Sequence, residues 1–346
     1  MVNTMTDLAL LSFEEALRDS GDQEKFLILG NGFSVSWNQH IFSYRSLKES
    51  AASLRETTKN LFLKLNTVDF EEVIKAYDHA GDVCHVYGME NTFRETAKEI
   101  RKTLIETIAL SHPESPASIP TDEYENCIRF LSHFRSIYTL NYDMLLYWVL
   151  MKDKFREDGQ PSILGNMTDG FAYNQEDFLN WDGTHFDIFF LHGALHLFER
   201  EELVKLNYRT TQKKLKEQFI ELIQEQEKFP LFVAEGLKSQ KLRRIRSSGY
   251  LTRCLNSLQN IGAFKNPKSV FIYGASLSDN DLHIVQALGR NKCHNFYVGL
   301  YGDPHNEANQ KLRMNAAKIG LYRNSASKPA PFNLKFFDSA SVPVWR

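Results

Sequence analysis

The sequence predicts an α/β protein: a Rossmann-like, mostly parallel sheet with helices on both faces and an inserted helical module. Three observations predict it. Runs of four aliphatic or aromatic residues recur without strict alternation, as in FLIL (26–29), IYTL (137–140), IFFL (188–191) and VFIY (270–273); such runs suit strands buried on both faces. Stretches of helical period lie between them, and strands alternating with helices argue a parallel sheet. Each run also ends in a short polar or glycine-bearing motif.

The elements follow in chain order. MVNTMTDLALLSFEEALRDS has neither a basic n-region nor a long apolar core, so it does not read as a signal peptide. Leu8, Leu11, Ala16 and Leu17 instead suit a short amphipathic helix. FLIL runs into Gly30-Asn31-Gly32, then Phe33 and Ser34, as a strand entering a loop whose backbone comes close to something. The next strand lies ~100 residues on, more than one crossover helix needs, so residues 44–135 read as a helical module embedded in one domain spanning 1–346. Within it, residues 93–110 align Ala97, Ile100, Leu104 and Ile108 on one stripe, stopped by Pro113. The Pro- and Ser-rich stretch 111–123 is a surface connection. Further helices are expected at 213–229, closed by Pro230, and at 251–258. FYVGLYG (296–302) and NLKFFDS (333–339) are two more candidate strands.

Composition bounds the class. Of 346 residues, 24% are charged and 42% hydrophobic, as in ordinary globular proteins. A net charge of −2 gives no general attraction to nucleic acid or an anionic membrane, and no apolar run reaches the ~20 residues of a membrane span. A cytoplasmic location is the default expectation. Cys84, Cys127, Cys254 and Cys293 stand far apart with no C-x-x-C pair, so reduced thiols are expected and no metal site.

In an open parallel sheet, ligands bind beyond the carboxyl ends of the strands. Four runs end there in Gly-Asn-Gly, Asn-x-Asp, His-Gly and Gly-x-Ser-x-x-Asp. Glycines admit a pyrophosphate to the backbone and to a helix N-terminus; Asn, Asp and His can orient a sugar or a water. Each motif alone has a plainer reading. The glycines fit a tight turn, Asn141 and Asp143 fit a helix N-cap, His192 fits a structural histidine, and Asp279 and Asp281 fit a cap for the next helix. Their joint occurrence at four strand ends favours a site.

In order, GNGFS, TLNYD (139–143), LHG (191–193) and GASLSDND (274–281) resemble the SIR2-like superfamily, whose members bind NAD and attack its nicotinamide–ribose bond. IFSYRSL (41–47), DFEEVI (69–74), FVAEG (232–236) and QKLRRI (240–245) further resemble a bacterial SIR2-related family catalogued as DUF4917, over roughly residues 25–340. The resemblance implies that Gly30, Asn31, Gly32 and Ser34 meet the NAD phosphates and nearby ribose, with Phe33 shaping the pocket. Thr139, Asn141 and Asp143 match its Thr-x-Asn-x-Asp motif, in which the Asn adjoins the nicotinamide ribose and the Asp helps hold the nicotinamide amide. His192 matches the catalytic histidine, and Gly274 and Ser276 the late phosphate- and ribose-contacting turn. Leu140 departs from the Gln usual in sirtuin deacylases, and both their Gly-Ile-Pro-x-Phe-Arg segment and their four-cysteine zinc module are missing.

What the resemblance implies is therefore an NADase with NAD+ as substrate, giving nicotinamide and ADP-ribose. Asn141 would position water and ribose; His192 would act as base, for which an imidazole of ordinary pKa about 6.5 is suited. An NAD-depleting role in antiviral defence is one implication, with a protein partner or a homo-oligomer as a candidate switch. The rival readings are a non-catalytic NAD or ADP-ribose sensor and an ADP-ribosyltransferase or deacylase acting on a macromolecule. Outside the motifs, Lys238, Lys241, Arg243, Arg244 and Arg246 read as a solvated helix face rather than a nucleic-acid surface. Asp69, Glu71 and Glu72 read as an acidic first helical turn, His283 as exposed or capping, and Trp37, Phe42 and Tyr44 as candidates to line the nicotinamide pocket.

Overall fold

The computed structural model describes residues 10–51, 54–171, 178–183, 186–199, 203–208, 218, 221–222, 230–234, 238–262, 267–325 and 330–346. Its strands are β1 (Glu24–Leu29), β2 (Ser136–Thr139), β3 (Phe178–Asn180), β4 (Ile188–Phe190), β5 (Gly193–Glu199), β6 (Leu203–Leu206), β7 (Pro230–Phe232), β8 (Lys268–Tyr273), β9 (Asn295–Leu300) and β10 (Asn333–Asp338). Six form a sheet in the order β10-β9-β8-β1-β2-β4, and every pairing in it is parallel. The chain steps outward from β1 through β2 to β4, then returns to the other side of β1 for β8, β9 and β10. This is the doubly wound, Rossmann-like order, and its topological switch point lies between β1 and β8. All six expected runs are strands of this sheet. Leu27, Ile28, Leu29, Ile137, Val270, Phe271 and Ile272 are fully buried, as their unbroken apolar character requires.

A second sheet, not expected from the sequence, has the antiparallel order β3-β6-β5-β7. Its strands are three to seven residues long. β5 is buried at every position but the last, so no alternation betrays it.

Between β1 and β2 the chain runs through helices including Glu56–Lys64, Phe70–Val86, Phe93–Ser111 and Thr121–Leu131. Asp69 caps Phe70–Val86, its carboxylate accepting from the Glu71 N–H at 2.8 Å. Phe93–Ser111 buries the expected stripe of Ala97, Ile100, Leu104 and Ile108 and ends at His112, before Pro113. The two long helices run antiparallel, tied by Arg101–Asp78 and Arg94–Asp82 contacts of 2.7 Å. Of the expected amphipathic helix, Ala16 and Leu17 lie in Phe13–Ser20, held by a Ser12–Glu15 capping box; Leu11 precedes it and bridges to Phe337 of β10 instead, and Leu8 lies outside the described residues. Most of the helix expected at 213–229 also lies outside them, whereas 251–258 falls within Gly249–Asn260. Among the described residues no helix is long and apolar enough to cross a membrane.

Candidate functional site

The glycine loop after β1 comes close to the second glycine loop, after β8. Gly30 N–H donates to the Tyr273 carbonyl at 2.9 Å, and Gly32 N–H to the Gly274 carbonyl at 2.8 Å. A Cβ on Gly30 would stand 2.5 Å from the Ala275 Cα, and one on Gly32 2.5 Å from the Gly274 Cα. Gly274 has φ 68°, and the fully buried Leu277 has φ 50°, a left-handed conformation costing a side-chain-bearing residue roughly 1–2 kcal/mol. The two loops thus form one tightly packed rim at the switch point. They border a cleft of about 330 Å³.

Asn141 lines this cleft where β2 ends. Its N–H donates to Thr139 Oγ1 at 3.0 Å, and its Nδ2 donates to Ser34 Oγ at 3.0 Å. Ser34 Oγ donates in turn to Asp143 Oδ2 at 2.5 Å, and Asp143 Oδ1 accepts from the Leu145 N–H. Burial pushes the Asp143 carboxyl above its ordinary pKa, against these hydrogen bonds. The chain fixes the Asn141 amide so that Nδ2 is engaged while Oδ1, although buried, has no partner among the described residues. A buried acceptor left unsatisfied is costly unless a ligand or water completes it.

His192, two residues past β4, also lines the cleft and is buried. Burial, reinforced by Lys241, holds its pKa well below the ordinary value, so the imidazole is neutral near pH 7. Its ring lies over Tyr142, which stacks on Phe232 with centroids 3.8 Å apart. The Tyr142 hydroxyl donates to the Val233 carbonyl at 2.7 Å.

A charged cluster lies beside His192, whose Nε2 is 3.9 Å from Asp281 Oδ1. Lys241 Nζ lies 2.6 Å from Glu71 Oε2 and 3.7 Å from Asp281 Oδ1. Asn280 Nδ2 donates to Asp69 Oδ2 at 2.9 Å. Desolvation raises the Glu71 carboxyl to about 7, with Asp281 and Asp69 adding to the rise against the Lys241 attraction. Burial disfavours the Lys241 charge, yet the Glu71, Asp281 and Asp69 carboxylates together hold its pKa above the ordinary value.

Lys241 is not on a solvated face: it is fully buried on the stripe that carries Ile245 and Ser248. The rest of that helix, Lys238–Ser247, does carry exposed Arg243 and Arg246. His283 is not exposed either; it is buried, with its Nε2 2.9 Å from His192 Nε2. The acidic first turn holds for Asp69, Glu71 and Glu72, but Asp69 and Glu71 also line the cleft.

Of the residues singled out, Gly30, Asn31, Gly32, Asn141, Asp143, His192, Gly274 and Ser276 line the cleft. Ser34 and Thr139 stand one bond behind it. Phe33 turns away: it is fully buried against Trp345, ring centroids 5.0 Å apart, so its side chain does not shape the cleft. Phe42 lines the cleft, whereas the Trp37 indole donates to Glu123 elsewhere, and the Tyr44 side chain lies outside the described residues. Among the described residues no group of three or more His, Cys, Asp or Glu side chains is arranged to hold a metal ion.

Fold and crevice together define a doubly wound, Rossmann-like α/β protein with a ligand-sized cleft at its switch point. The chain belongs to the family described as Domain of unknown function (DUF4917), which matches residues 27–345. No curated protein matches it.

Proposed function

We propose that this protein is a SIR2-like NAD+ glycohydrolase that cleaves the nicotinamide–ribose bond of NAD+ to nicotinamide and ADP-ribose. The observation that carries the reading is the Asn141 amide. Its Oδ1 is a buried, unsatisfied acceptor locked in orientation through Ser34 and Asp143, beside a neutral His192 and two glycine loops. Such an acceptor suits a ribose hydroxyl or the attacking water.

Cleavage breaks the C1′–N1 bond, and its electron pair leaves with nicotinamide as a neutral base. Water adds to C1′ and loses one proton, which a neutral imidazole can accept. The Asp281 and Asp69 carboxylates lining the cleft, against the one Lys241 charge, favour positive charge developing there. Hydrolysis of free NAD+ drains the cell's supply, so a cytoplasmic enzyme of this kind requires a switch; a protein partner or self-association would provide it, and antiviral defence is a setting in which triggered depletion is useful.

The test is incubation of the purified protein with NAD+, with nicotinamide, ADP-ribose and cyclic products resolved chromatographically, beside Asn141→Ala and His192→Ala. Each substitution is expected to lower turnover by roughly 100-fold or more while NAD+ binding persists. Wild-type binding without turnover at any NAD+ concentration would instead support the sensor reading. Label transferred to a macromolecule would support ADP-ribosyl transfer.

A further inference from the structure

The cleft is rich in acceptors. Asn141, in its lining, has a buried Oδ1 with no partner among the described residues. Asp69 and Asp281 line it with carboxylates. Burial works against the Asp69 charge. Both Asp69 oxygens nevertheless accept from N–H groups, Oδ1 from the Glu71 backbone at 2.8 Å and Oδ2 from Asn280 Nδ2 at 2.9 Å, and such bonds favour the ionised form. Lys241 Nζ lies 2.6 Å from Glu71 and 3.7 Å from Asp281, and no lysine or arginine among the described residues lines the cleft.

The first glycine loop, by contrast, has spent its donors. The N–H groups of Gly30 and Gly32 go to the carbonyls of Tyr273 and Gly274, and those of Phe33 and Ser34 to the carbonyls of Gly30 and Asn31, all at 2.8 to 3.0 Å. A phosphate at this loop gains no N–H from these four residues and shares the cleft with two carboxylates that repel it. Ser276 and Ser278, from the second loop, add hydroxyls, which accept as well as donate. Phe42, Phe70, Leu104 and Ile108, from the helices between β1 and β2, add apolar surface. A flat ring bearing positive charge suits both features: the carboxylates draw its charge, and aromatic and aliphatic side chains pack on its face. A sugar attached to it has hydroxyls to donate to Asn141 Oδ1.

We infer that the cleft selects a cationic pyridinium riboside and not its phosphate, so that nicotinamide riboside, which carries no phosphate, is both ligand and substrate. Asp281 and Asp69 are the residues that set this preference. Cleavage follows the same course as for NAD+: the C1′–N1 bond breaks, its electron pair leaves with neutral nicotinamide, and water adds to C1′ and loses one proton to His192 and then to solvent. The products are nicotinamide and ribose. The turnover part of this inference rests on the proposed hydrolysis; the charge preference does not.

The experiment compares nicotinamide riboside with its 5′-phosphate, nicotinamide mononucleotide, and with NAD+. Binding is measured by calorimetric titration of full-length His192→Ala protein, with and without Asp281→Asn, and nicotinamide release is measured on wild type. The riboside is expected to bind about 10-fold or more tighter than the mononucleotide at low salt, the gap closing as salt rises. Asp281→Asn should narrow the gap from both sides, weakening the riboside and strengthening the mononucleotide. Wild type should release nicotinamide from the riboside. Equal or tighter binding of the mononucleotide would overturn the inference, as would hydrolysis of NAD+ with none of the riboside; in both cases NAD+ hydrolysis could still stand. Should Asp281→Asn fail to fold, the order of affinities and its salt dependence decide alone. Preferred binding of the riboside with no nicotinamide released from any of the three would sink the functional reading and leave the charge preference intact.

Discussion

At the scale of single residues, the cleft concentrates groups that are costly to bury unless they act together. Lys241 is the only cation contacting the Glu71 and Asp281 carboxylates among the described residues, and Lys241→Met would leave them buried without it. The expected loss is about 3–5 kcal/mol, read from urea unfolding. The raised Glu71 pKa also sets a pH dependence. The folded protein holds that proton up to about 7, whereas the unfolded chain releases it near 4.5. Glu71 therefore contributes most stability below about pH 4.5, and the contribution is lost as pH rises towards 7. Glu71→Gln should flatten the decline across that window; an unchanged slope would assign the decline to other groups. Lys241 and His283 were misread for one reason: charge and polarity outweighed position. Lys241 shares a stripe with Ile245 four residues on, and His283 one with Ala287, and both stripes face inward. A polar residue on an apolar stripe is the signal that could have found them.

At the scale of elements, the four strand-end motifs were legible because each apolar run stops where its strand stops, which places the next few residues on the sheet's carboxyl rim. What the motifs do to one another was not legible. The glycines of the first loop answer to the backbone of the second, a contact between residues more than 240 positions apart. Gly32→Ala should cost about 1–3 kcal/mol, because the new methyl meets Gly274 backbone that cannot swing aside. Gly21→Ala, with nothing within 4 Å but φ 58° and ψ −148°, a conformation almost confined to glycine, should cost about 1–3 kcal/mol for backbone conformation alone. A Gly32→Ala protein as stable as wild type in chemical denaturation would argue against the close-packed rim. The second sheet escaped the sequence because its strands are short and β5 lacks a polar face.

At the scale of the whole molecule, the crevice is held by parts drawn from the length of the chain. Trp345 packs on Phe33, and its indole N–H donates to the Phe33 carbonyl at 2.9 Å, pinning the helix that follows the first glycine loop. Trp345→Ala is expected to cost about 3–5 kcal/mol in thermal or chemical unfolding and, if the cleft binds NAD+ as proposed, to weaken that binding, although Trp345 lies outside the cleft lining. Unaltered binding would mean the loop holds its shape without that support. β1 finds one neighbour in β2, about 110 residues later, and the other in β8, about 240 residues later. Contacts of such separation close late, after long loops have been ordered. Asn141, His192, Gly274 and Trp345 also leave the ribosome in that sequence. A nascent chain that has not yet emerged beyond β8 has half a rim, no Asp281 and no His283, so it cannot assemble the crevice. If the finished protein destroys NAD+, the spacing of its parts keeps it harmless to the cell for most of its own synthesis.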